Sequence, residues 1–214
     1  MRWPIKQLLI GSAEKFRGEE TSAIRKRPAP GPLHITVQGL AGDEQADRTN
    51  HGGPHMAVHH YPQDHSAFWQ GIIGDHSLLR DAGAFGTNLV ISGLTETDIY
   101  IGERFRLGGA LLEVSQPRKP CWKIEHNFAQ KGMVTAILKS GKCGWYYRVI
   151  EEGRVAAADA LVRAGTPHSH WSVARAFAVL WGDPRAASQT DIRDLAATEA
   201  LTPKLRDALR ARIT

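Results

Sequence analysis

Glycine spacing constrains this chain more than any other feature. Twenty of the 21 glycines fall within the first 165 of 214 residues, where they separate short runs of β-forming residues. The runs are His34–Val37, Met56–His59, Asn88–Ile91, Arg104–Leu107 and Leu111–Ser115. Between them lie Gly39, Gly42, Gly52, Gly53, Gly93, Gly102, Gly108 and Gly109. Many short strands divided by turn residues point to a twisted sheet or small barrel. Gly108-Gly109, between two alternating runs, reads as a tight hairpin. Two helices interrupt the pattern. One runs from Pro62 to Trp69 with proline in its first turn, and one from Gly132 to Lys139 and ends at Gly141.

After residue 165 the period changes to helical. Val173, Phe177 and Leu180 share one face behind a Ser172 cap, Ile192, Leu195 and Ala196 share another, and Thr202-Pro203 opens a third helix carrying Leu205, Leu209 and Ile213. Helices this short are marginal alone and must pack on something. The expected fold class is therefore mainly β with helices (α+β), as a β-barrel-like domain over residues 1–165 and a three-helix appendage over 166–214.

Composition narrows the function classes. With 42% hydrophobic residues the chain can bury a core without metal or disulfide, which excludes disorder. The longest aliphatic stretch near its start, Leu8-Leu9-Ile10, is too short for a membrane span or a secretory signal. Cys121 and Cys143 are the only two cysteines and form no CxxC pair, which fits a reducing cytoplasm. The net charge of +5 suits an anionic ligand as well as a nucleic acid. Basic residues are scattered without interleaved aromatics, which argues against a nucleic-acid platform.

The segment Val114-Ser-Gln-Pro-Arg-Lys-Pro-Cys121 carries the most chemistry. Pro117 and Pro120 end a strand and fix the backbone, and Arg118 and Lys119 favour a thiolate at Cys121. Such a thiolate is a nucleophile or a ligand for a soft metal; the alternative is a packed core thiol. Cys143 has no such frame and reads as structural. The Gly39–Asp47 loop and His51-Gly52-Gly53-Pro54 bring glycine amides and His51 toward an anion or a polar ring. In the Gly86-Thr87-Asn88 turn, Asn88 offers both a donor and an acceptor. His51, His55, His59, His60 and His65 lie within fifteen residues and invite a zinc reading. It is disfavoured, because His55 and His59 on one strand face stand about 13 Å apart.

Taken in order, the Gly39–Asp47 loop, His51-Gly-Gly, Gly86-x-Asn88-Leu89, Ile101-Gly-Glu-Arg-Phe-Arg and Ser115-Gln-Pro-Arg-Lys-Pro-Cys121 resemble the MOSC domain family, named for the molybdenum-cofactor sulfurase C-terminus. Thr21-Ser-Ala-Ile24, His60-Tyr-Pro62 and Gly141-Lys-x-Gly-Trp145 are similar to the branch of bacterial hydroxylaminopurine-resistance proteins, which also carries a three-helix tail. The resemblance spans nearly the whole chain. It implies a molybdenum-cofactor (molybdopterin) enzyme that reduces N-hydroxylated compounds, such as hydroxylaminopurine to the amine. Cys121 would ligate the metal, and Arg118, His51, Gly52, Asn88 and Ser22 would bind the cofactor. The resemblance also implies that electrons come from a separate flavoprotein, and the two cysteines, too few for a four-ligand iron–sulfur cluster, agree with that. The expected partners are that donor and a small N-hydroxylated substrate, with a homodimer left open and no membrane. A cofactor or sulfur carrier without turnover is the alternative. Two positions depart from the family pattern: Thr87 stands where glutamate is common, and Asn50 where a first histidine is common.

Overall fold

The computed structural model describes residues 1–47, 52–167 and 169–213. Its strands are β1 (Arg2–Pro4), β2 (Gln7–Ile10), β3 (Glu14–Arg17), β4 (Glu20–Ser22), β5 (Arg27–Pro28), β6 (Leu33–Thr36), β7 (Gly39–Leu40), β8 (Val58–His60), β9 (Leu89–Val90), β10 (Arg104–Leu107), β11 (Ala110–Pro117), β12 (Trp145–Glu151), β13 (Gly153–Val155) and β14 (Ala160–Arg163). The α-helices are α1 (Ser66–Ile73), α2 (Lys123–Phe128), α3 (Met133–Ser140), α4 (Val173–Trp181), α5 (Gln189–Ala197) and α6 (Pro203–Arg210). The expected mixture of sheet and helix is what the chain adopts. Among the described residues, no helix is long and apolar enough to cross a membrane.

One sheet of nine strands runs β1-β14-β10-β11-β12-β8-β9-β2-β5, with small sheets β13-β6-β7 and β3-β4 beside it. Leu107 pairs with Ala110, so Gly108 and Gly109 alone turn β10 into β11, as their spacing suggests. Gly108 sits at φ +54°, and a Cβ there would meet the Arg154 carbonyl at 2.5 Å. Along β12 the two faces separate. Trp145 and Tyr147 are fully buried, whereas Tyr146 and Arg148 lie on the other face and are partly open.

The β11–β12 ladder breaks where Val114 pairs with Tyr147 and Gln116 with Tyr146, leaving Ser115 as the extra residue of a bulge. Its hydroxyl donates to the His55 carbonyl (2.6 Å), and its own carbonyl accepts from the Thr202 amide (3.2 Å). Ser115 thus ties the 3-10 turn Pro54–Met56 and the C-terminal helices to the centre of the sheet. Thr202-Pro203 opens α6 as expected, but the Thr202 hydroxyl faces the Ser115 carbonyl at 3.4 Å and makes no cap bond. Ser172 does cap α4, accepting from the Arg175 amide.

The first helix begins later than expected. Gln63–His65 forms a 3-10 turn and α1 starts at Ser66. The run expected at Met56–His59 is extended only from Val58. The C-terminal helices join the main core: Trp171, Val173, Phe177, Leu195, Leu201 and Leu209 belong to the same buried cluster as Phe105, Leu112, Trp145 and Tyr147. Amides bridge the two parts, Ile101 to the Trp171 carbonyl (2.9 Å) and Val173 to that of Ile99 (2.8 Å). Truncating fully buried Leu195 to Ala is expected to cost about 2–5 kcal/mol. With a shared core, the thermal transition should stay single and simply move down in Tm, as calorimetry would show.

Candidate functional site

β11 ends at Pro117, and the Arg118 amide then donates to the Gly144 carbonyl (3.0 Å), pinning the loop that carries Cys121. Cys121 is partly exposed, forms no disulfide, and accepts at its carbonyl from the Ile124 amide as α2 begins. It lines a pocket of about 650 Å³, open mouth included, together with Ser22, Arg118 and Asn88. The structure thus brings four of the six expected residues to one place. Gly52 is buried but does not line the pocket, and His51 lies outside the described residues.

The other walls carry residues that sequence did not assign to the site. Lys26, Asp43, His59, Met56 and Tyr146 also line the pocket. Asn88 organises one wall. Its side-chain oxygen accepts from the His59 amide (2.8 Å), and its side-chain nitrogen donates to the Leu9 carbonyl (3.1 Å) and to Asp43 (2.9 Å). Both amide hydrogens are spent on protein, so Asn88 positions β2, β8 and β9 rather than offering donors to a ligand. Asp43 in turn holds the ammonium of Lys26 (2.6 Å to Oδ1) and accepts from the Gly11 amide (2.8 Å). Both side chains of this ion pair are nearly buried. Burial lowers the Lys26 pKa, and the Asp43 charge opposes that shift.

Arg118 is the exception to this pairing. It is 7% exposed, its Nη1 is buried without a hydrogen-bond partner, and among the described residues no carboxylate pairs with it. A buried guanidinium without a counter-charge is costly, and an anion entering the pocket would relieve that cost. His59 adds a second unfilled position. Its Nδ1 lies 2.8 Å from the Gly86 carbonyl and must carry the proton, which leaves Nε2 an acceptor, buried and unpartnered. Burial, then the Arg118 charge, push the His59 pKa well down, so the ring is neutral. It lies against Tyr146, ring centroids 4.9 Å apart. Gly86 holds φ +78°, the left-handed turn that aims its carbonyl at His59.

Comparison with known proteins gives the family. The MOSC domain family model matches residues 47–162. Protein YiiM of Escherichia coli (strain K12) is 40% identical over 86% of this chain and 81% of its own length. The chain belongs to the MOSC domain family. Crystal structures of YiiM from Geobacillus stearothermophilus (TM-score 0.83, 28% identity, 99% of this chain and 100% of that one) and from Escherichia coli (TM-score 0.82, 31% identity, 99% and 92%) share the fold. A Gibberella moniliformis protein named a reductase is 37% identical over 73% of this chain, which spans 28% of that longer protein.

Within this MOSC domain the histidines disperse. His65 bonds Glu96 (2.8 Å), His60 faces the Tyr147 hydroxyl (3.3 Å) and His59 faces Gly86. Among the described residues no three of His, Cys, Asp and Glu gather as a metal site. Cys143 is fully buried, its thiol pKa raised by burial and by Glu96, in keeping with a structural role. Ser22 turns its hydroxyl to the Ile24 amide (3.3 Å). Thr87 spends its hydroxyl on the Leu89 carbonyl and the Tyr61 amide (2.8 and 2.9 Å) and does not line the Cys121 pocket.

Asp43→Ala strands the buried Lys26 ammonium and is expected to cost about 3–5 kcal/mol. Adding Lys26→Met should recover most of that loss, as a double-mutant cycle in urea would show. Acid should also weaken the fold through His60, whose pKa burial lowers to about 3. Above pH ~6.5 both states are neutral there; below it only the unfolded state gains the proton. Stability therefore falls as the pH drops from 6.5 toward 3, and His60→Phe should flatten that part of the Tm profile.

Proposed function

We propose that the protein is a molybdenum-cofactor-dependent reductase of N-hydroxylated compounds, with hydroxylaminopurine to adenine as the reaction type. The observation that carries the reading is the unpaired, buried Arg118 guanidinium in the same pocket as Cys121. The donor set fits such a group. A metal that arrives on its own organic ligand needs one protein thiolate and a counter-charge for its phosphate, whereas a metal held by protein groups alone needs three or four ligands.

In this reading Cys121 supplies the thiolate ligand through its Sγ. Arg118 binds the cofactor's anionic phosphate by charge-assisted hydrogen bonds. The Nε2 of His59 accepts a proton shared by an N–H or O–H of the bound ligand, and the Tyr146 ring gives a flat wall for a heterocycle. Asn88 and the Lys26–Asp43 pair keep that wall rigid. When bound, the cofactor supplies a centre that exchanges two electrons. The overall change is N–OH plus two electrons and two protons to N–H and water. The electrons come from a separate flavoprotein in a reducing cytoplasm.

Protein made in a cofactor-competent host should carry about one molybdenum per chain and reduce hydroxylaminopurine in a single turnover with a chemical donor. Cys121→Ala should lose both. Arg118→Gln should keep the fold but retain cofactor about 10–100-fold more weakly, the equivalent of one charged hydrogen bond at ~1.5–3 kcal/mol. Wild-type protein without molybdenum would contradict the proposal, and bound cofactor without turnover would make the protein a carrier.

A further inference from the structure

Basic residues are scattered along the chain, but their excess is not. Residues 118–142 hold six Lys and Arg against one carboxylate, Glu125, and the rest of the chain is balanced at 21 of each sign. The whole net charge of +5 therefore belongs to the segment that carries Cys121, α2 and α3. Among the described residues none of the six cations forms an ion pair, and Glu125 spends its carboxylate on the Val134 amide (3.0 Å).

The N-terminal hairpin builds onto this segment. Arg17 of β3 lies over the Trp122 ring, 3.8 Å from its centroid, and pairs with Glu20 (3.0 Å). Phe16 packs against both Trp122 (6.1 Å) and His126 (4.7 Å), and His126 Nε2 donates to the Phe16 carbonyl (3.0 Å). Lys123 donates to the Thr21 carbonyl (3.0 Å), and Arg25 to the side-chain oxygen of Asn127 (2.6 Å). The three rings stay in part open to solvent, with Arg17, Arg25 and Lys123 on the same two elements. This patch borders the Cys121 pocket. Trp122 is joined to Cys121 by a peptide bond, and Lys123 lines the pocket beside Cys121. The mouth's carboxylates, Glu44 and Asp47, come from the Gly39–Asp47 loop instead, where Glu44 accepts from the Ala13 amide (2.6 Å).

We propose that β3, β4 and the start of α2 form the docking surface for the flavoprotein electron donor, whose matching face is acidic. Electron transfer decays steeply with distance, so a protein that feeds a centre at Cys121 must land on the rim of its pocket. Trp and Arg are the residues that most often anchor an interface, and opposite charge steers the partner onto it. A nucleic acid fits less well. Arg17 already covers one face of Trp122, and Phe16 and His126 meet edge-on, so the rings offer no platform for stacked bases. The choice of an electron donor rests on the reductase reading, but binding to the surface requires no molybdenum.

Calorimetric titration of the cofactor-loaded protein with a flavodoxin, a small acidic FMN protein, tests the surface. Binding should weaken at least tenfold between ~0.01 M and ~0.15 M salt, as screening shortens the reach of the charges. Arg17→Glu should weaken it about tenfold, and Trp122→Ala about 30-fold, the effect of an interface anchor. Arg17→Glu should keep the wild-type single-turnover rate with a chemical donor and lose rate only with sub-saturating flavodoxin. Lys204→Glu makes the same charge change on α6 and should bind like the wild type. A wild type that does not bind, binding indifferent to salt, or Arg17→Glu binding like the wild type would overturn the proposal. An equal loss in Lys204→Glu would also overturn it, as would a short single-stranded oligonucleotide that binds as tightly as the flavodoxin. A wild type without molybdenum would fail the reductase reading alone, since the same titration run on the metal-free protein still decides the surface.

Discussion

The side chain of Asn88 joins three strands and a loop that are remote in sequence. One amide group bonds the backbones of β2 and β8 and the carboxylate of Asp43, while its own main chain continues into β9. Asp43 then neutralises Lys26, and the Gly39–Asp47 loop is held against the sheet. A buried amide satisfied on both ends admits one arrangement of its partners, and a buried ion pair adds to the cost of any other. The wall that carries His59, and so the shape of the Cys121 pocket, depends on this cluster.

Against that satisfied background the unsatisfied groups stand out. Most buried polar atoms of a folded protein find partners. Among the described residues, two of the buried nitrogens left without a partner, Arg118 Nη1 and His59 Nε2, belong to side chains that line the Cys121 pocket. The protein's interior is thus complete as a fold and incomplete as an electrostatic system. The cofactor reading follows from where that missing negative charge would sit.

Much of this was legible in sequence where the determining contacts are local. The Gly108-Gly109 hairpin, the strand Arg104–Leu107 and the capped helix after Ser172 follow from neighbouring residues alone. Cys121 and Arg118 were legible for the same reason, since two prolines and two cations surround the thiol within five residues. The N-terminal strands were not, because β3 and β4 are short and largely exposed and show no alternation. β12 has the period, but Tyr146 and Ile150 place apolar bulk on its outer face and blur it. His59 was weighed only as one of five clustered histidines. Its free Nε2 is set by the Gly86 carbonyl, 27 residues away, which no local pattern records. Asn88 was found, but its amide turned out to be committed to the protein.

The central claim is that the Cys121 sulfur is a metal ligand in this pocket. X-ray absorption at the molybdenum edge of the purified protein tests it most directly. The account predicts one sulfur fewer in the metal's coordination shell of Cys121→Ser than of the wild type, at equal metal loading. Identical coordination shells in the two proteins would contradict it.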